Sequence, residues 1–184
     1  MPADSKRARF EREVLPHLDA AYNLARWLMR GGADAEDAVQ EACLRAYKYF
    51  DGFHGGNAKA WLLKIVRNCC LSALAGGRRE ESMSPDEEGR LDPAHERALA
   101  EAGHGTRSPE ALLIAKADAA LLHESLAGLP AEYREVLVMR EIEELSYKEI
   151  SQIAEIPLGT VMSRLARGRT LLEKRLVARL AKES

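Results

Sequence analysis

LSYKEISQIAEIPLGTVMSRLARGRTLLEKR, residues 145–175, is the stretch whose reading decides the fold. Ser146 followed three residues later by Glu149 is a capping box, in which each side chain satisfies a backbone donor at the start of a helix. A short helix therefore opens here, and Ile150, Ile153 and Ala154 give it one apolar face. The pattern breaks at Glu155-Ile156, and Pro157 suits the first position of a second helix, where a missing N–H costs nothing. Val161, Leu165 and Leu172 continue inward at helical spacing, while Thr160, Ser163, Arg164 and Arg167 fall on the opposite side. A basic, hydrogen-bonding face on the second helix of such a pair is the chemistry of a helix-turn-helix that enters a DNA groove. A solvated amphipathic helix closing a small bundle is the plainer reading that this segment alone leaves open.

The charge distribution favours the first reading more than the whole-chain net of -2 does. Residues 156–184 carry seven Lys/Arg against two Asp/Glu, whereas residues 116–155 carry four against nine. The positive field is thus concentrated on the second helix, where an arginine can hold a phosphate or grip a guanine edge.

Outward from this element, strand signals are nearly absent and the chain reads as all-α. Phe10, Val14, Leu15, Leu18, Ala21, Tyr22, Ala25 and Leu28 repeat at three and four, with Pro16 starting or kinking the main helix and Gly31-Gly32 stopping it. Asp34 is placed as the N-cap of a second helix running to about Phe50. After DGFHGGN, Asn57 caps a third helix from Ala58 to about Leu74, ended by Gly76-Gly77. Arg79 to Glu110 holds three prolines, three glycines and nine acidic against four basic residues, the composition of a linker. A second helical lobe then begins, with one helix from Glu110 to Leu126 and another opened by Pro130 and running through Tyr133, Val136, Leu137 and Arg140.

Several function classes are excluded on composition. No run of 18 apolar residues exists, so no membrane insertion is expected. The charged start MPADSKRARFEREV has no apolar core of a signal peptide, and a cytoplasmic protein is expected. Cys43, Cys69 and Cys70 form no metal-ligand spacing and read as buried, reduced thiols. The chain lacks a glycine-rich phosphate loop, a nucleophile set and paired carboxylates, so no enzyme, cofactor or metal is expected.

Two helical lobes, an acidic tether and a C-terminal helix-turn-helix together resemble the extracytoplasmic-function group of bacterial alternative sigma factors. DAEDAVQEACLRAYKYF and WLLKIVRN are similar to consecutive helices of that family's region 2. LPAEYREVLVMREIEELSYKEISQIAEIPLGTVMSRLARGR is similar to region 4 along its whole length, and GTVMSR preceded by SYKEI is its most specific part. The resemblance implies a region 2-like domain over 8–77 that binds core polymerase and melts the minus-10 element. It implies a linker over 78–109, and a region 4-like domain over 110–180 that recognises the minus-35 element.

It also implies partners and residues. Asp37, Gln40, Glu41 and Leu44 stand at i, i+3, i+4 and i+7 and match positions that bind the coiled coil on the clamp of the polymerase large subunit. An acidic stripe with one aliphatic residue suits a basic amphipathic partner. Without the resemblance, a solvated face is the default reading of that stripe. For the minus-10 element, Phe53, His54 and Asn57 are candidates to hold an extruded base, Lys59, Lys64 and Arg67 to hold phosphates, and Asn68 closes the segment. Trp61 matches the family's WL pair, although its spacing with Leu62 and Ile65 favours core packing over base stacking. For the minus-35 element the match carries reading to Thr160, Met162, Ser163, Arg164, Ala166 and Arg167, with Tyr147 and Lys148 anchoring the DNA backbone. Relatives are commonly held by an anti-sigma factor, often membrane-bound. The acidic linker reads equally as a phosphate-backbone mimic and as a solubilising tether. Two alternatives stand beside the sigma reading: a stand-alone dimeric helix-turn-helix regulator, and an adaptor that sequesters a regulatory partner.

Overall fold

The computed structural model describes residues 5–29, 32–77 and 119–183, and all regular structure among them is helical. The expected linker and the start of the helix placed at Glu110 lie outside the described residues. The chain divides into two compact units, described separately.

The first unit contains α1 (Lys6–Glu13), α2 (Leu18–Leu28), α3 (Gly32–Tyr49) and α4 (Ala58–Gly77). The break between α1 and α2 falls at Pro16, as its missing N–H requires, and Leu15–His17 form a single 3-10 turn there. Helices α2, α3 and α4 pack on one another around Leu24, Val39, Leu62, Leu63 and Val66, all essentially inaccessible. The buried side of α3 is almost entirely alanine, Ala35, Ala38, Ala42 and Ala46 around Val39, so its backbone can approach its neighbours closely. Two helix limits differ from the sequence reading. Helix α3 begins at Gly32, so Asp34 lies in the first turn, where its charge still favours the helix dipole, and is not the cap. Helix α4 continues through Gly76 to Gly77, because glycine lowers helix propensity by only about 1 kcal/mol. Its start is as expected: Asn57 Oδ1 accepts from the Ala60 N–H at 3.1 Å.

The second unit is built from α5 (Ala119–Ala127), α6 (Ala131–Leu137), α7 (Tyr147–Ala154) and α8 (Leu158–Glu183). Helix α8 packs on α5 and α6. Pro130 opens α6, its carbonyl accepting from the Tyr133 and Arg134 N–H groups. The helix then departs from the expected run through Arg140: it continues past Leu137 as one π turn, Val138–Ile142, in which the Glu143 N–H bonds the Val138 carbonyl five residues back. Leu145 N–H closes the end onto Met139 O, with Glu144 at φ 55°. At Gly168, α8 comes so close to α6 that a Cβ would lie 3.0 Å from Leu137 Cδ1 and 3.3 Å from Tyr133 Cβ. Alanine there is expected to be near neutral, its helix propensity offsetting the crowding. Gly168→Val, with branches that have nowhere to go, should destabilise the unit by about 1–3 kcal/mol in thermal denaturation.

Among the described residues no helix is long and apolar enough to cross a membrane.

Candidate nucleic-acid and partner interfaces

On α3 the residues opposite the alanine face are those of the expected stripe. Asp37, Gln40, Glu41 and Leu44 are all exposed, and Leu44 is 70% accessible, the highest value among large apolar side chains in the described residues. An aliphatic group so exposed in the middle of a helix is placed for a partner more than for the fold. The sequence reading missed Arg45, whose Nε donates to Glu41 Oε1 at 2.7 Å and partly neutralises the stripe. Beside it a concavity of about 750 Å³ opens between α3 and α4, lined by Met29, Asp34, Asp37, Ala38, Glu41, Arg45, Cys69, Ser72, Ala73 and Leu74.

The segment from Phe50 to Asn68 divides into a packed base and an exposed rim. Phe53, read from the sequence as a loop contact for a base, is instead buried: its ring centroid lies 4.9 Å from that of Trp61 and 6.0 Å from that of Phe50. Phe10, from α1, meets Phe50 edge-on at 5.3 Å and completes the cluster. Trp61 is half-buried in that cluster, in keeping with core packing. The rim carries His54, exposed, then Gly55 and Gly56 at φ 92° and 104°, a left-handed pair that lets the chain turn into α4. Asn57 is exposed and commits its side-chain oxygen to the helix cap. Lys59, Lys64 and Arg67 are half-buried along α4 and Asn68 is exposed. His17 stands close enough to Lys59 to feel its charge; burial first, then Lys59, lowers the imidazole pKa.

All three cysteines are free thiols, Cys69 and Cys70 buried and Cys43 half-buried. Burial pushes the Cys70 thiol up to about 12 and raises Cys43 and Cys69 as well, the opposite of an activated nucleophile.

The helix-turn-helix follows from local chemistry. Ser146 Oγ accepts from the Glu149 N–H at 3.1 Å while Glu149 Oε2 accepts from the Ser146 N–H at 2.7 Å, the reciprocal box. In the turn, Glu155 takes φ 56°, and the Ser151 hydroxyl donates to the Ile156 carbonyl at 2.6 Å. Pro157 stands one position earlier than expected, flanking the helix, with its carbonyl accepting from Val161 N–H. Val161, Leu165, Gly168, Leu172 and Leu176 form the buried line of α8. Thr160, Met162, Ser163, Ala166 and Arg167 are each partly accessible away from it.

The two arginines paired by the sequence reading are not equivalent. Arg164 lies at the flank, 27% exposed at its side chain, with Nη2 3.9 Å from Glu132 Oε2 on α6. Arg167 has no ion-pair partner among the described residues. On the supporting helix, Lys148 is exposed and Tyr147 half-buried, the Arg140 guanidinium 4.8 Å from its ring centroid. Glu141, which the sequence reading passed over, accepts from Arg169 of α8.

Comparisons with known proteins bear on both units. The family model for Sigma-70 region 2 matches residues 14–80, and that for Sigma-70, region 4 matches residues 119–172. The chain is 32% identical over 176 residues to the RNA polymerase sigma-H factor of Pseudomonas aeruginosa, covering 93% of this chain and 87% of that protein. It is 33% identical over 148 residues to the ECF RNA polymerase sigma-E factor of Escherichia coli K12, covering 78% and 74%. Among solved structures, the sigma factor RpoE in complex with the anti-sigma factor NepR from Bartonella quintana matches with a TM-score of 0.67 and 26% identity, over 91% of this chain and 96% of that one.

Proposed function

This chain belongs to the extracytoplasmic-function RNA polymerase sigma factors, with sigma-70 regions 2 and 4, and from that membership we propose how its residues divide the work of initiation. It is a transcription-initiation factor and not an enzyme; nucleotide addition is the work of the polymerase. Residues 8–77 act as the core-binding and promoter-melting domain, 78–109 as the linker, and 110–180 as the minus-35 domain. The stripe of Asp37, Gln40, Glu41 and Leu44 takes the basic coiled coil of the polymerase clamp. His54, Asn57, Lys59, Lys64, Arg67 and Asn68 face the melted minus-10 strand, and Phe53 and Trp61 support that loop from beneath. Thr160, Met162, Ser163, Arg164, Ala166 and Arg167 meet the minus-35 major groove, and Tyr147 and Lys148 meet its phosphates.

One observation carries this reading: a single chain pairs an unpartnered acidic and aliphatic stripe on α3 with an arginine-bearing second helix of a helix-turn-helix. The protein works in the cytoplasm, and an anti-sigma factor covers it when it is inactive, as NepR accompanies RpoE in the solved complex.

The test separates specificity from affinity. In holoenzyme binding to a minus-35 saturation library, Arg167→Ala should cost roughly 1–3 kcal/mol and relax preference at a single position. Lys148→Ala should weaken every sequence about equally and lower the magnitude of the salt slope by about one unit. A uniform loss for Arg167→Ala would mean that α8 positions the protein and reads no base; tight operator binding by the chain without polymerase would favour the dimeric regulator.

A further inference from the structure

The contact that brings α8 against α6 is smooth. At Gly168, between Arg167 and Arg169, there is no side chain to interlock with Leu137 and Tyr133, so the packing there sets the distance between the helices and does little to fix the rotation of α8 about its own axis. Rotation matters for reading DNA. Turning a helix by about 20° moves a side-chain tip roughly 2 Å at the radius of a helix with its side chains, and a bidentate contact to a base edge tolerates about 0.5 Å.

Two ion pairs flank the smooth contact. On one side Arg164 faces Glu132 at 3.9 Å, too long for a hydrogen bond. On the other, Arg169 Nε and Nη2 both donate to Glu141 Oε1, at 3.1 and 2.7 Å, with the two side chains 30% and 32% exposed. The forked guanidinium on one oxygen constrains direction as well as distance. Glu141 sits on the π turn, and its neighbour Arg140 grips the other half of the motif: Nη1 donates to the Leu145 carbonyl at 2.9 Å, and the guanidinium lies over Tyr147. Burial acts to lower the Arg169 pKa, yet the Glu141 carboxylate, and Tyr147 after it, bring it above the ordinary value.

We propose that Glu141 and Arg169 are positioning residues for promoter reading: their ion pair fixes the rotation of α8, so base discrimination by the outward residues depends on two side chains that lie to the side of that face. The proposal rests on the reading of α8 as the minus-35 helix. A half-exposed ion pair contributes little to stability, so its role is legible in discrimination and not in melting.

The experiment uses holoenzyme reconstituted from the full chain and core polymerase, titrated against the minus-35 saturation library at several salt concentrations. Glu141→Gln and Arg169→Gln should each lower the ratio between the best and the wrong base by about three- to tenfold, with melting temperature and core affinity unchanged. The charge swap, Glu141→Arg with Arg169→Glu, should restore the ratio to within about twofold of the native protein. Unchanged ratios in the single variants overturn the proposal, and so does a swap that fails to restore them. It is also overturned if Arg169→Gln weakens all sequences equally with a smaller salt slope while Glu141→Gln does not, since Arg169 would then be a phosphate contact. Arg167→Ala is the control: if it flattens preference and the pair variants do not, the positioning role alone fails. If Arg167→Ala leaves preference intact, the minus-35 reading fails with it.

Discussion

Replacing Asp37, Gln40, Glu41 and Leu44 together by alanine is expected to weaken binding to core polymerase by about a hundredfold or more and to leave the first unit folded. Leu44 alone, 70% exposed in the free protein, recovers roughly 1.5–3 kcal/mol when fully buried by a partner. The carboxylates add complementarity to a basic helix, and losing Glu41 also releases Arg45 as an uncompensated positive charge on the same face. Tenfold in affinity corresponds to about 1.4 kcal/mol, so Leu44 and the charges together readily reach two orders of magnitude. Alanine on an exposed helix face is well tolerated, and the buried alanine line of α3 is untouched. Fluorescence anisotropy with core enzyme, beside a thermal melt of the free variant, makes the distinction: undiminished core affinity would return the stripe to a solvated face.

Arg134→Ala should be the most damaging single change in the second unit. This arginine is 6% exposed, and its Nη1 donates to the Ala127 and Leu129 carbonyls at 3.0 and 3.1 Å, closing the end of α5 and the turn into α6. Truncation strands those carbonyls and opens a cavity, a combined cost of about 2–4 kcal/mol. For a unit of this size that lowers Tm by on the order of 10 °C or more. Arg134→Met keeps most of the volume and should recover only the cavity part. Minus-35 binding should fall with the fold of this unit, while core binding through α3 persists. A melt indistinguishable from the native protein would show that water replaces the guanidinium at no cost.

What was legible in the sequence is what is local. The capping box of Ser146 and Glu149, the Asn57 cap and the break at Pro16 each involve partners within four residues, and the periodicity of Val161, Leu165 and Leu172 marks the buried side of α8 directly. Where the reading went astray, the deciding partner is distant in the chain. Phe53 looks like a loop aromatic until Phe10, forty-three residues away, is seen to build the cluster that buries it, and Arg164 looks outward until Glu132 is found beside it. The pair of Glu141 and Arg169 spans twenty-eight residues. No spacing rule reaches so far, because such contacts depend on how helices pack and not on where side chains fall on one helix.

The π turn at Val138–Ile142 has a consequence for what lengths this chain can tolerate. An α-helix advances about 100° per residue, and a π turn takes up one residue more than the regular ladder needs. Removing a single residue here would restore the regular ladder and spin everything that follows by about that angle. Arg140 and Glu141 would then swing off the two helices they hold, with no polar group deleted and the hydrophobic count of α6 nearly intact. Drift in amino-acid identity at Val138 or Ile142 is thus far more survivable than a one-codon deletion. The segment acts as an angular spacer, under selection for its number of residues as much as for their chemistry.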